Sequence, residues 1–110
     1  MSSALDKRHK AREQVVAACG HAYTLRRPTA AQLARLAEGS RLDMLRECVV
    51  GWDLAWSDLI PGGDPTPAVF TAELWADWLD DTPELWAPLG EALLDLIRAH
   101  QDALEAAKKN

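Results

Sequence analysis

Residues 51–86 read GWDLAWSDLIPGGDPTPAVFTAELWADWLDDTPELW. The stretch holds all five tryptophans (Trp52, Trp56, Trp75, Trp78, Trp86), the only phenylalanine, Phe70, and four of the six prolines. Aromatic side chains bury the most area per residue, so the core of a 110-residue chain should be pinned here. Between Pro61 and Pro67 stand three prolines and two glycines, which block both a helix and a central strand. This is an ordered loop, held by Leu59, Ile60, Val69 and Phe70. Thr71 then caps a short helix, with Phe70 placed to staple Trp75. Leu74, Trp75, Trp78 and Leu79 form its apolar face. Asp80 and Asp81 end it, and Thr82-Pro83-Glu84 restarts the chain with a cap, a first-position proline and an N-terminal acid.

Working back from this stretch, Ser40 opens a helix with Asp43 at its third position. Leu42, Leu45, Val49 and Trp52 fall at core-facing spacing, and Gly51 is the expected stop. Before it, Thr29-x-x-Gln32 is a capping box for a helix carrying Leu33 and Leu36, expected to end at a left-handed Gly39. Val15-Val16 and Tyr23-Thr24-Leu25 have β propensity around Gly20, which predicts a two-stranded hairpin lying against a helix. Residues 1–13 are charged, form a frayed helix or nothing stable, and read as a solvated, flexible basic arm, with a single helical domain over 14–110. Forward of the stretch, Leu89, Leu93, Leu96/Ile97, His100 and Leu104 mark a long last helix. Pro88 predicts a kink or a separate first turn. The fold class is mainly α: a small domain of about four to five helices with an N-terminal two-stranded β-hairpin.

Apolar content of 48% and charged content of 26% are those of an ordinary globular domain. No apolar run is long enough to span a bilayer, and the charged start lacks a secretory signal, so the expected compartment is the cytoplasm. Cys19 and Cys48 are too few for a disulfide framework. The net charge of −5 is uneven: residues 1–27 carry +4 and residues 28–110 carry −9. An acidic body repels a phosphate backbone and argues against a nucleic-acid reader.

Candidate chemistry is sparse. The helices around 30–50 echo a helix-turn-helix, but the would-be reading helix offers Asp43 and Glu47 beside Arg41 and Arg46; an αα-hairpin built for packing is the better reading. Cys19, His21, Cys48 and His100 are a scatter without zinc-ligand spacing. Asp77, Asp80, Asp81 and Glu84 lack the glycine of a calcium loop, and Gly62-Gly63 is not followed by the lysine of a phosphate loop. No cofactor is implied. Most of the tryptophans read as core, with at least one on a partner-facing surface.

The segments AYTLRRPTAAQLARL and VVGWDLAWSDLIPGGDPTPAVFTAELWADWLDDTPELWAPLGEAL, with the ending AAKKN, resemble tail assembly chaperones of long-tailed phages and prophages. The likeness covers about residues 22–110 and lies in the order of the pieces. It implies a helical, non-enzymatic protein of the host cytoplasm. Such a protein coats the tape-measure protein, keeps it soluble, recruits subunits of the major tail (tube) protein, self-associates, and is absent from the mature virion. A −1 frameshift near Lys108-Lys109, giving a longer form, is also compatible with it. The candidate protein-binding residues are Trp56, Leu59 and Ile60 in the loop, Trp75 and Trp78 on the short helix, and Arg26 and Arg27 beside it. A structural tail-completion or connector protein and a DNA-binding regulator are the alternatives.

Overall fold

The computed structural model describes residues 3–109; Met1, Ser2 and Asn110, the outer ends of the expected arm and tail, lie outside the described residues. In chain order the elements are α1 (Ala4–Ala11), β1 (Glu13–Ala18), β2 (His21–Arg26), α2 (Ala30–Leu36), α3 (Arg41–Cys48), β3 (Val49–Trp52), α4 (Trp56–Leu59), α5 (Ala72–Asp81), a 3₁₀ turn (Pro83–Leu85) and α6 (Trp86–Lys108). The chain is mainly helical, with six α-helices and one small antiparallel sheet among the described residues.

Residues 4–11, expected as a frayed helix or an unstructured arm, form a helix. Ser3 and Asp6 make a capping box: the Ser3 hydroxyl accepts the Asp6 N–H at 3.0 Å, and the Asp6 carboxylate accepts the Ser3 N–H. Basic Arg8 and Lys10 then sit in the last turn, where positive charge is favourable. No residue of α1 is buried, so its capping box and charge placement are the signals that favour it.

The hairpin of β1 and β2 turns at Cys19 and Gly20, both with positive φ (51° and 82°). Two such residues make the primed turn whose twist matches that of the flanking strands. Beyond the hairpin the sequence reading needs correction: Val49 and Trp52 do not continue the α3 helix. The chain leaves α3 at Cys48 and lays Val49–Trp52 antiparallel to β2, pairing Tyr23 with Trp52 and Thr24 with Gly51. β-branched Val49 and Val50 favour the extended state, and β2 would otherwise be an unpaired edge buried under helices. Gly51 fits this pairing because a Cβ there would stand 3.3 Å from the Thr24 hydroxyl oxygen. The register slips between Thr24 and Leu25, which leaves Val50 outside the pairing.

The boxes at Thr29/Gln32 and Ser40/Asp43 close as their spacing predicts. Gly39 differs from expectation, since it is not left-handed; only Gly20 and Gly62 have positive φ among the described glycines. Its lack of a side chain serves the next helix instead, because a Cβ at Gly39 would meet the Asp43 carboxylate at 2.9 Å. Of the two outcomes expected around Pro88, a separate turn is present: Pro83–Leu85 precedes α6, and Pro88 falls in the first turn of that helix, where no N–H needs a helical partner.

The core is a sandwich of one sheet face against α3, α5 and α6. Tyr23 and Leu25 of β2, Leu45 and Cys48 of α3, Trp75 and Leu79 of α5, Leu85 of the 3₁₀ turn, and Leu89 and Leu93 of α6 are all buried in it. The stripe of α6 stays buried to Ile97; Leu104 is half exposed, so the last turns leave the body. α3, the would-be reading helix of a helix-turn-helix, packs on both α5 and α6. Its Arg46 is held by Asp43 and Asp80, each at 2.8 Å.

Candidate protein-binding surface

Four of the five tryptophans are built into the body, each with its indole N–H on a defined acceptor. Trp52 donates to the Ala68 carbonyl at 2.8 Å, Trp75 to the Leu45 carbonyl at 2.9 Å, Trp78 to the Tyr23 hydroxyl at 3.2 Å and Trp86 to the Leu79 carbonyl at 2.7 Å. Their rings interlock. Trp75 stacks with Phe70 at 6.4 Å and lies tilted against Tyr23 at 5.6 Å, while Trp52 meets Phe70 edge-on at 5.1 Å. The staple of Phe70 onto Trp75 is therefore present, and Thr71 caps α5 through the Leu74 N–H.

Trp56 is the exception. It opens the single turn of α4, is 36% exposed, and makes no indole hydrogen bond among the described residues. Ile60, where the chain leaves the turn in an extended conformation, is 52% exposed, and Val69 at the far end of the loop is 78% exposed. Leu59 points the other way and packs against the core.

The loop bearing these residues is tied at both ends. The Trp56 N–H donates to the Thr66 carbonyl at 3.0 Å, Ser57 to Asp64 at 2.8 Å, and Ala68 to Leu54 at 2.9 Å. Gly62 takes a left-handed turn at φ 83°. Asp64 accepts both the N–H and the hydroxyl of Thr66, and these bonds hold its carboxyl below the usual aspartate range. The hairpin clamps the base of the loop. His21 places Nδ1 3.4 Å from Asp53 and Nε2 3.5 Å from Asp58, and these carboxylates also accept the Ala22 and Ala55 N–H groups. A proline-rich loop so tied presents Trp56 and Ile60 with little ordering left to do on binding.

The structure does not bring all the candidate residues to one face. Trp75 is corrected outright: it is fully buried, because an indole sited between Tyr23, Phe70 and the Leu45 carbonyl has no route to solvent. Trp78 is half-buried, with its N–H engaged on Tyr23. Arg26 and Arg27 lie at the opposite end of β2 from His21 and the loop, and Arg26 is bound to Glu13 of β1 through Nε at 3.0 Å and Nη2 at 2.8 Å. What remains of the candidate surface is Trp56 and Ile60; Val69, expected like Ile60 to pin the loop, is also exposed. Its exposure follows from the tertiary path of the loop and carries no local signal.

Among the described residues no group of three or more His, Cys, Asp or Glu side chains is placed to hold a metal ion, and no helix is long and apolar enough to cross a membrane. No family model, no curated protein and no solved structure matches the chain.

Proposed function

We propose that this protein is a non-enzymatic tail assembly chaperone that binds the tape-measure protein in the host cytoplasm through the Trp56/Ile60 face of its loop. It keeps that partner soluble, helps recruit major tail (tube) subunits, and leaves before the virion matures. The observation that carries the reading is the contrast between Trp56 and the other tryptophans. Four indoles are committed to internal acceptors, while the fifth stands half out of a rigid loop beside Ile60. An aromatic anchor on a preordered support, surrounded by an acidic surface, is what reversible capture of apolar helices requires. The motif order described above supplies the identity of the partner.

The test is co-expression of the full chain with a long helical tape-measure protein from the same genome. The wild-type chain is expected to move the tape-measure protein into the soluble fraction and to co-purify with it. The Trp56→Ala/Ile60→Ser variant should lose most of both effects while keeping its fold. Failure of the wild-type chain to bind overturns the reading, and full activity of the variant removes the loop as the binding face. Retention of the chain in purified virions would favour the connector alternative.

A further inference from the structure

We propose that the cleft between α1 and the body is a second docking site, one that takes an acidic amphipathic helix of a partner protein. The proposal is independent of the loop surface and of the chaperone reading. Leu5, Arg8 and Arg12 recur along one side of α1 and line a cleft of 360 Å³, whose other wall includes Arg26, Gln32 and Glu47.

Charge in this cleft is only partly balanced from within. Arg26 is neutralised by Glu13, and Glu47 is engaged by Arg35 and Gln32, bonds that hold its carboxyl below the usual glutamate range. Arg8, Arg12 and Arg27 are in no ion pair among the described residues. These three cations sit close enough to disfavour one another: burial first, then Arg12 and Arg8, lower the proton affinity of Arg27. With Glu13 and Glu47 taken by Arg26 and Arg35, Arg8 and Arg12 in the cleft, and Arg27 beside it, are thus left without an ion-pair partner among the described residues.

Two of them are positioned by backbone contacts. Arg12 Nε donates to the Arg27 carbonyl at 3.1 Å, and Arg27 Nη1 donates to the Pro28 carbonyl at 3.2 Å. The remaining N–H groups are free to fork onto a carboxylate. Apolar surface borders the cationic ridge on both sides. Leu5 is 60% exposed within the cleft, and Arg27 also rims a groove of 190 Å³ floored by Leu33, Ile97 and Leu104. Carboxylates flanked by apolar side chains at helical spacing satisfy both kinds of surface. A nucleic-acid duplex does not, because its phosphates would extend past the ridge onto the acidic body.

The experiment uses the full chain and a fluorescent synthetic peptide of roughly 20 residues, an amphipathic helix of Glu and Leu, with a Gln-for-Glu control peptide and a short DNA duplex as competitor. The wild-type chain is expected to bind the Glu peptide, and to bind it several-fold more weakly as salt rises from about 50 to about 200 mM. Arg8→Glu/Arg12→Glu should weaken binding about tenfold or more. Arg8→Glu alone, an exposed position outside every hydrogen bond and ion pair described, should weaken it several-fold with an unchanged melting temperature. Trp56→Ala/Ile60→Ser should bind as wild type. Equal affinity for the Gln peptide, insensitivity to Arg8→Glu, dependence on Trp56, or displacement of the peptide by duplex DNA at lower concentration than by unlabelled peptide would each overturn the proposal.

Discussion

The indole N–H of Trp75 donates to the backbone carbonyl of Leu45 at 2.9 Å, and the same carbonyl accepts the N–H of Val49. That oxygen lies where helix α3 gives way to strand β3. One side chain from α5 therefore fastens the junction on which the third strand depends. Trp75 also touches the rings of Tyr23, Trp52 and Phe70, so the same residue ties the sheet to the end of the loop.

Replacing Trp75 with Ala should cost about 3–5 kcal/mol, the usual range for deleting a fully buried aromatic. Trp75→Phe retains much of the packing but removes a donor to Leu45, at a cost of about 1–3 kcal/mol. Urea unfolding followed by far-UV circular dichroism would measure both. A Trp56→Ala change should cost less, about 1–2 kcal/mol, since the residue is 36% exposed and its indole makes no hydrogen bond among the described residues. Equal losses at positions 56 and 75 would contradict the division of labour among the tryptophans.

Gly63 and Gly90 make a matched pair of tests. A Cβ at Gly63 would stand 2.6 Å from the Trp56 carbonyl oxygen and 3.0 Å from that of Ile60, both backbone atoms fixed by the loop. Gly63→Ala should cost about 1–3 kcal/mol and loosen the α4 turn that presents Trp56. At Gly90 the obstacle is Arg41, whose Cδ would lie 2.6 Å away but belongs to a flexible side chain. Alanine there gains about 1 kcal/mol of helix propensity, offsetting the displacement of Arg41. Thermal melts should show a clear drop for Gly63→Ala and a near-neutral result for Gly90→Ala.

The two cysteines should differ in reactivity. Cys48 is buried at the end of α3, and burial pushes its thiol up to about 11. At about pH 8 only about one part in a thousand of it is thiolate, the reactive form. Cys19 is exposed at the hairpin turn. A disulfide-exchange reagent should therefore titrate one thiol per chain quickly and the second only as the protein opens, with denaturant making the two alike. Cys19→Ser should abolish the fast phase and leave the slow one. Two fast thiols in the native protein would show that the α3–β3 junction is not packed as described.

Local chemistry carried much of the architecture. Thr29/Gln32, Ser40/Asp43, Thr71 and the Pro61–Pro67 breakers mark their own positions, because a cap or a proline acts on backbone groups within a few residues. The hairpin belongs with them, since Gly20 and its β-prone flanks act at short range. Ser3-x-x-Asp6 was as legible as the others, but a charged, unburied segment offers no apolar period to draw attention to it.

Long-range pairing decided the rest. Val49 and Trp52 keep helical spacing with Leu45, and pairing with the open edge of β2 adds to the β preference of Val49 and Val50 to make them a strand. Trp75 and Trp78 look equivalent on α5, yet one is sealed between Leu45 and Tyr23 while the other lies at the margin. The juxtaposition of Arg12 with Arg27 arises from strand register, which no single segment encodes. Sequence by itself determined where α2, α3 and α5 begin, where the chain must turn, and that the aromatics would gather. Tertiary structure alone decided which tryptophan faces outward and which arginines meet, because burial and charge proximity belong to pairs of residues far apart in the chain.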